Sequence, residues 1–291
     1  MQTTFLYIST VLIWGSTWLA IAYQLGTVPA LVSIAHRMAL ATVLTFLIIL
    51  LTWGLPRLAL REHPRILLQG LTLFCCNYLF VYAATASLST GLVAVVFSSM
   101  VILNALGGTA FFGEPLRLPV ILGGLLGMLG MGLLFLPELE TLSLADERLR
   151  ALGLCVLGTL CASAGNMVAA VNARRGLPVL ACNLWGMFYG AVVLYLAALA
   201  LGQPISVDWR PPYLWSLLYL ALFGTVLAFW AYISLLGRIG ADRAAYTTLL
   251  FPVVALALSS WFEGYQWTAW AVAGLALVLT GNWLAMRGVR H

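Results

Sequence analysis

The chain has 291 residues, of which 63% are hydrophobic and only 8% charged, against roughly 25% charged in a soluble domain. Such a chain takes lipid as its solvent, and at about 20 apolar residues per crossing helix it has room for about ten crossings. The formal charge of +5 comes from arginines scattered between apolar runs, with no basic patch interleaved with aromatics, which excludes nucleic acid as a partner.

In chain order, apolar runs of crossing length fall near residues 4 to 23, 31 to 52, 66 to 86, 91 to 112, 118 to 136, 151 to 172, 178 to 201, 212 to 236, 243 to 262 and 267 to 286. Span 1 carries no basic residue ahead of Arg37, so it lacks the basic start of a cleavable signal and reads as a retained helix with Trp14 at mid-depth. Span 2 opens on His36 and Arg37. An ionisable group within the bilayer is costly and usually functional. At 1.5 Å per residue, Arg37 lies roughly 9 Å below one surface, where it can snorkel, bind carbonyls at a helix break or hold a substrate carboxylate. His36 is a structural group or a proton relay, since its charge can change near neutral pH. Asn77, Tyr78 and Tyr82 occupy the middle and outer half of span 3, with the tyrosines four apart on one helical face.

Span 4 contains the doublet Ser98–Ser99. Glu114 and Glu263 precede spans 5 and 10, and each is expected to cap free amides at a helix start, where the dipole favours an acid; ion coupling is the alternative. Gly123 and Gly127 form a small-xxx-small pattern for close helix packing, within the bundle or in a homodimer. Ser163 and Asn166 lie at the centre of span 6; Tyr246, Thr247 and Thr248, followed by Pro252, lie in span 9. The five cysteines show no metal-ligand spacing and read as small buried hydrophobes, so neither a metal nor another cofactor is expected.

With the N-terminus inside, the cytoplasmic joints collect Arg57, Arg61, Arg65, Arg117, Arg174, Arg175, Arg238, Arg243, Arg287 and Arg290, and the other side only Arg148, Arg150 and Arg210. Cytoplasmic loops gather arginine, so both termini are expected in the cytoplasm. A shift of 149 superimposes Pro29 on Pro178, Phe80 on Phe229, Gly91 on Gly240, Glu114 on Glu263 and Gly132 on Gly281 without a gap. The repeat has five spans, an odd number, so its copies must lie upside down relative to each other. The expected organisation is a first repeat at 1–137, an external linker at 138–150 and a second repeat at 151–291. Inverted repeats of this kind build carriers with a midplane site between the halves.

WGSTW at Trp14 to Trp18, the lone Arg37, FFGEPL before the Gly-rich ILGGLLGMLGMGLLF, and LLFPVVALALSSWFEG with Pro252 and Glu263 together resemble the EamA family of the drug/metabolite transporter superfamily. The resemblance covers essentially the whole chain. It implies an all-α membrane protein with ten transmembrane helices in two inverted five-helix repeats, in a bacterial inner membrane, that exports or exchanges small metabolites. Within the family the chain is similar to the YddG-type amino-acid exporters. The pattern is not symmetric, because Pro252 is paired with Leu103 and Arg37 with Gly186.

No nucleophile with a base, carboxylate pair or HExxH motif marks an enzyme, and no filter loop marks a channel. The candidate substrate site is the set of uncharged polar and aromatic groups at mid-depth: Trp14, Asn77, Tyr78, Tyr82, Ser99, Ser163, Asn166, Tyr246 and Thr248. His36, Arg37, Glu114, Pro252 and Glu263 are gating or structural candidates. Rings attract an ammonium group while hydroxyls and amides bond a carboxylate, so amino acids, including aromatic or other apolar ones, fit such a pocket. Efflux of hydrophobic drugs or other metabolites is the alternative. The expected partners are the small-molecule substrate and the bilayer, with the chain a monomer or a homodimer.

Overall fold

The computed structural model describes residues 2–24, 26–52, 58–85, 87–88, 93, 96–134, 136, 146–262 and 267–287, and no strand occurs among them. Helix α1 spans Gln2–Ala22 and α2 Ala30–Thr52. Helix α3 is continuous but changes register: His63–Gln69 is α-helical, Gly70–Cys76 is π-helical and Asn77–Thr85 is α-helical again. Then follow α4 (Met100–Phe112), α5 (Leu118–Leu134), α6 (Asp146–Arg174) and α7 (Val179–Ala200). Helix α8 repeats the device of α3, with Pro211–Ala221, a π-helical stretch Leu222–Leu227 and Ala228–Ile239. After one turn at Ala241–Ala244 come α9 (Thr247–Phe262) and α10 (Ala269–Arg287).

Among the described residues five helices, α2, α3, α6, α7 and α8, are long and apolar enough to cross a membrane, and α4, α5 and α10 are shorter apolar helices. Large apolar side chains face outward at helical spacing: Val43, Leu47 and Leu50 on α2, Leu118, Leu122, Leu125 and Leu129 on α5, and Phe188, Val192, Leu196 and Leu199 on α7. Water would penalise stripes of this extent, whereas lipid tails accept them. Charges collect at the helix ends. Glu62 pairs with Arg65 and, at 3.5 Å, with Arg175. Asp208 pairs with Arg210 at 2.6 Å, and hydrogen bonds from that arginine hold the Asp208 carboxyl down at about 2.

The helix packing has an exchange symmetry. Helix α1 lies against α8 and α9, as α6 lies against α3 and α4, while α2 packs on α7 and α5 on α10. Swapping the halves returns the same set of neighbours. Helices α5 and α10 run antiparallel, because Gly123 meets Gly281 and Gly130 meets Gly274. Here the backbones touch: a Cβ on Gly274 would stand 2.5 Å from the Gly130 carbonyl oxygen, and one on Gly281 2.5 Å from that of Gly123. The small-residue pattern of span 5 therefore serves packing inside the bundle. Ser143 and Glu263 lie outside the described residues, as does the side chain of Pro252.

Gly274→Val and Gly281→Val are expected to destabilise the fold by about 1–3 kcal/mol through overpacking. Gly132→Ala, where nothing lies within 4 Å of the added carbon, is the control. Thermal unfolding of the three variants in detergent checks this; equal melting temperatures would refute a close seam at α5 and α10.

Candidate substrate site

The π-helical stretch of α8 opens the backbone where the two halves meet. The amide of Ala228, the ordinary α-helical donor to Gly224, reaches Phe223 and Thr225 instead. The Gly224 carbonyl is thus available to side chains. It accepts Nη2 of Arg37 at 3.2 Å and Nε1 of Trp14 at 3.2 Å. Arg37 Nε donates to Thr225 Oγ1 at 2.8 Å, and that hydroxyl donates on to the Leu220 carbonyl. Of the roles open to Arg37, binding carbonyls at an irregular helix is the one seen. π-Bulges are frequent at functional sites, and glycine lets this one approach closely.

Arg37 is buried, at 3% exposure. Its Nη2 also donates to the Tyr78 hydroxyl at 3.3 Å, and its guanidinium carbon lies 5.0 Å from the Tyr78 ring centre. Tyr82 interacts with the same guanidinium, and the Tyr78 and Tyr82 rings are 6.4 Å apart. Nη1 of Arg37 has no hydrogen-bond partner, and no acidic side chain among the described residues pairs with this arginine. Asn77, buried beside Tyr78, has an unpartnered Oδ1.

Aromatic side chains continue the wall. Trp14 packs on Phe229, Tyr232 and Phe251 with ring centres 5.2, 5.1 and 6.3 Å away, and Phe74 meets Phe229 at 4.8 Å. The Tyr232 hydroxyl accepts Asn166 Nδ2 at 3.0 Å. Ser163 Oγ donates to Asn104 Oδ1 at 2.7 Å, and Asn104 Nδ2 donates to the Ala241 carbonyl at 3.1 Å. Polar groups from α1, α2, α3, α4, α6 and α8 thus form one connected region.

The sequence-derived set divides. Trp14, Tyr78 and Tyr82 adjoin Arg37, and Asn166 and Ser163 join through Tyr232 and Asn104. Tyr246 lies elsewhere: fully buried, it donates to the Val120 carbonyl of α5, and its own carbonyl accepts Asn282 of α10. Thr248 bonds Ala245 in its own chain turn, and Ser99 bonds Val96 before α4. His36 packs edge-on to Tyr195 of α7 at 5.8 Å, with its Nδ1 unpartnered. Glu114 departs from the expectation of a cap on α5: its carboxylate pairs with Arg174 of α6, whose guanidinium lies over Phe112 at the end of α4. Gly224, Thr225, Phe229, Tyr232 and Asn104 were not anticipated. A lone Asn in MVILNALGG and the Phe80–Phe229 repeat pair were the available signals.

A family model described as the EamA-like transporter family matches residues 2–136 and again 149–287. The chain belongs to this EamA-like transporter family. Its two copies account for the constant offset. As an EamA protein it is an integral membrane transporter. It is 25% identical to an uncharacterized transporter, YoaV, of Bacillus subtilis, over 94% of this chain and 93% of that one. It is 24% identical to a probable amino-acid metabolite efflux pump of Salmonella typhimurium, over 98% and 95%. It is 27% identical to an uncharacterized inner membrane transporter, YedA, of Escherichia coli, over 92% and 87%. A crystal structure with 18% sequence identity superimposes with a TM-score of 0.84, covering 99% of this chain and 97% of that one, and shares the fold.

Thr225→Val removes the acceptor of a buried charged N–H and is expected to cost about 1.5–3 kcal/mol, whereas Thr225→Ser keeps the hydroxyl and should melt close to wild type. Differential scanning fluorimetry in detergent compares them. A loss in Thr225→Ser with Thr225→Val melting close to wild type would mean that the methyl group, and not the bond to Arg37, matters at this position.

Proposed function

We propose that this EamA protein is a secondary transporter that exports or exchanges amino acids with apolar or aromatic side chains. Two inverted five-helix repeats, crossing the membrane ten times with both termini in the cytoplasm, alternate access to the region around Arg37. The observation that carries the reading is the buried Arg37 guanidinium, which is held by neutral groups and keeps Nη1 unpartnered. An uncompensated charge away from water is expensive. A substrate carboxylate supplies the missing charge through a charge-assisted hydrogen bond. The faces of Tyr78 and Tyr82 take an ammonium group with about 0.5–2 kcal/mol each. Trp14, Phe229 and Tyr232 offer an apolar surface to the side chain. The same arginine repels cations, which argues against cationic drugs as the main substrates. The antiparallel α5 and α10 support the inverted repeat, and the Salmonella relative's name agrees with the substrate class.

Counterflow into proteoliposomes, with a panel of amino acids, nucleosides and cationic drugs, tests this. Leucine and phenylalanine should exchange with saturable kinetics and cationic drugs should not. Tyr78→Ala and Tyr82→Ala should raise the apparent KM several-fold, and Arg37→Gln should abolish preference for a free carboxylate over its methyl ester. Wild-type affinity and selectivity in all three variants would place the substrate elsewhere.

The arginine asymmetry also predicts that the loop near 138–150 is external. A cysteine introduced at Ser143, in a background without native cysteines, should react with an impermeant maleimide added outside intact cells. Labelling only after permeabilisation would reverse the orientation.

A further inference from the structure

At the end of the bundle where α1 begins and α10 finishes, a cavity of about 320 Å³ is lined from both halves, by Glu114 of the α4–α5 joint, Ala170 and Arg174 of α6, Leu236 of α8 and Ala241 of the turn before α9. Three helices each carry one face from this cavity toward the Arg37 region. On α6, Arg174, Ala170, Asn166 and Ser163 follow at steps of four, four and three and so share a face. On α8, Leu236, Tyr232 and Phe229 do the same, and Trp14, which donates to the Gly224 carbonyl beside Arg37, packs on the last two. On α4 the face is Gly108, Asn104 and Met100, and a Cβ on Gly108 would stand 3.0 Å from the Glu114 carboxylate. Between the cavity and the Arg37 region stands one layer of buried side chains. Asn104 is its centre: Oδ1 accepts Ser163 Oγ at 2.7 Å, Nδ2 donates to the Ala241 carbonyl at 3.1 Å, and the Tyr232 hydroxyl interacts with the same amide. Asn166 completes the layer, donating to the Tyr232 hydroxyl at 3.0 Å and to Met100 Sδ at 3.4 Å. Unlike Arg37 Nη1 and Asn77 Oδ1, no atom of Asn104, Ser163, Asn166 or Tyr232 is left buried without a partner. Groups that satisfy one another offer nothing unmet to a ligand, but they can close a passage.

We propose that the cavity is the cytoplasmic mouth of the substrate path and that the Asn104 layer is its gate. The proposal rests on the reading given above, in which the path lies between two inverted repeats and this end is cytoplasmic. Helix α4 belongs to the first half and α6 and α8 to the second, so a movement of one half against the other parts the layer at Asn104. The Glu114 and Arg174 pair also spans the halves, but its side chains are 34% and 49% exposed, and a solvated ion pair holds little. The barrier is therefore the buried layer. Its hydrogen bonds join uncharged groups and can be exchanged for bonds to water at modest cost, as a gate that opens in every cycle requires. Gly240, at a φ of 90°, ends α8 just before Ala241, so the turn that receives Asn104 is set off from the helix and can swing without unwinding it.

The accessibility of single cysteines in the full chain tests the gate without requiring transport. In a background without native cysteines, Ala170→Cys reports on the cavity and Thr17→Cys on the far side of the layer, since Thr17 adjoins Gly224 at the Arg37 crossing. Each is treated with an impermeant sulfonated methanethiosulfonate, in inverted membrane vesicles for the cytoplasmic face and in intact cells for the other. In inverted vesicles Ala170→Cys should react readily and Thr17→Cys slowly. Adding Asn104→Ala should speed the reaction of Thr17→Cys there by about tenfold, as for loss of a buried hydrogen bond. It should neither raise the rate of Thr17→Cys in intact cells nor change that of Ala170→Cys. Ser163→Ala gives a second, smaller opening should Asn104→Ala fail to fold. A general loosening of the bundle would instead speed labelling from both faces. The gate is refuted if Ala170→Cys reacts only from outside, if the variants speed Thr17→Cys from both faces alike, or if neither variant changes its rate. No substrate is present in this assay, so such a result leaves the assignment of Arg37 untouched, and a failure of amino-acid counterflow leaves the gate standing.

Discussion

A guanidinium buried between two helical repeats has to be solvated by the protein, and the means of solvating Arg37 determine the surrounding architecture. Its donors need acceptors that helices normally keep for themselves, since regular α-helical carbonyls are committed to the amide four residues on. The π-helical stretch of α8 releases one. With Ala228 bonded to Phe223 and Thr225, the Gly224 carbonyl receives Arg37 and Trp14 together. A side chain at position 224 would meet Thr17 at 2.8 Å and Arg37 at 3.1 Å, so glycine is required for this approach. One carbonyl thereby ties α1, α2 and α8, and through Tyr78 also α3.

The other half crosses differently. The repeat mate of Arg37 is Gly186, which meets the π-helical stretch of α3: a Cβ on Gly186 would lie 3.1 Å from the Phe74 ring, and one on Gly70 only 2.4 Å from the Gly186 carbonyl oxygen. Both crossings thus place α2 or α7 on a π-helical stretch of the opposite half. One is polar and charged, and the other is filled by the Phe74 ring. On the proposed reading, such a difference displaces an anionic substrate group from the pseudo-symmetry axis toward Arg37. Near-identical backbone scaffolds can in this way give a transporter an asymmetric interior.

Much of this architecture is legible in the sequence because it depends on averages. Hydropathy over some twenty residues locates the helices, and a constant offset of 149 exposes the repeat whatever the identities between. Depth along a span grouped Trp14, Tyr78 and Tyr82, but it left Arg37, which they adjoin, among the gating or structural candidates. Depth does not fix which face of a helix a residue presents, and that is why Tyr246, reasonably placed by depth, belongs to the packing of α5 and α10. The π-helical register leaves no compositional trace, since GLTLFCC and LFGTVL read as ordinary apolar helix. Glu114 shows a third limit: local rules made it a helix cap, whereas its partner, Arg174, lies 60 positions away.

The proposed alternation of access needs some contacts that hold and others that exchange, and the packing divides along those lines. At α5 and α10 the glycine backbones touch along an antiparallel seam, and sliding would forfeit dispersion contacts at once. Around Arg37 the contacts are hydrogen bonds to one irregular backbone carbonyl and to the Thr225 and Tyr78 hydroxyls, and these can be exchanged singly at modest cost when another donor or acceptor replaces them. A carboxylate arriving at Nη1 changes the charge balance at the point where four helices meet. On the proposed reading, substrate binding there acts on the junction between the halves and leaves the seam intact. On that reading a charged residue held only by neutral partners is more than an anchor, because its unmet charge couples the junction to the presence of an anionic substrate.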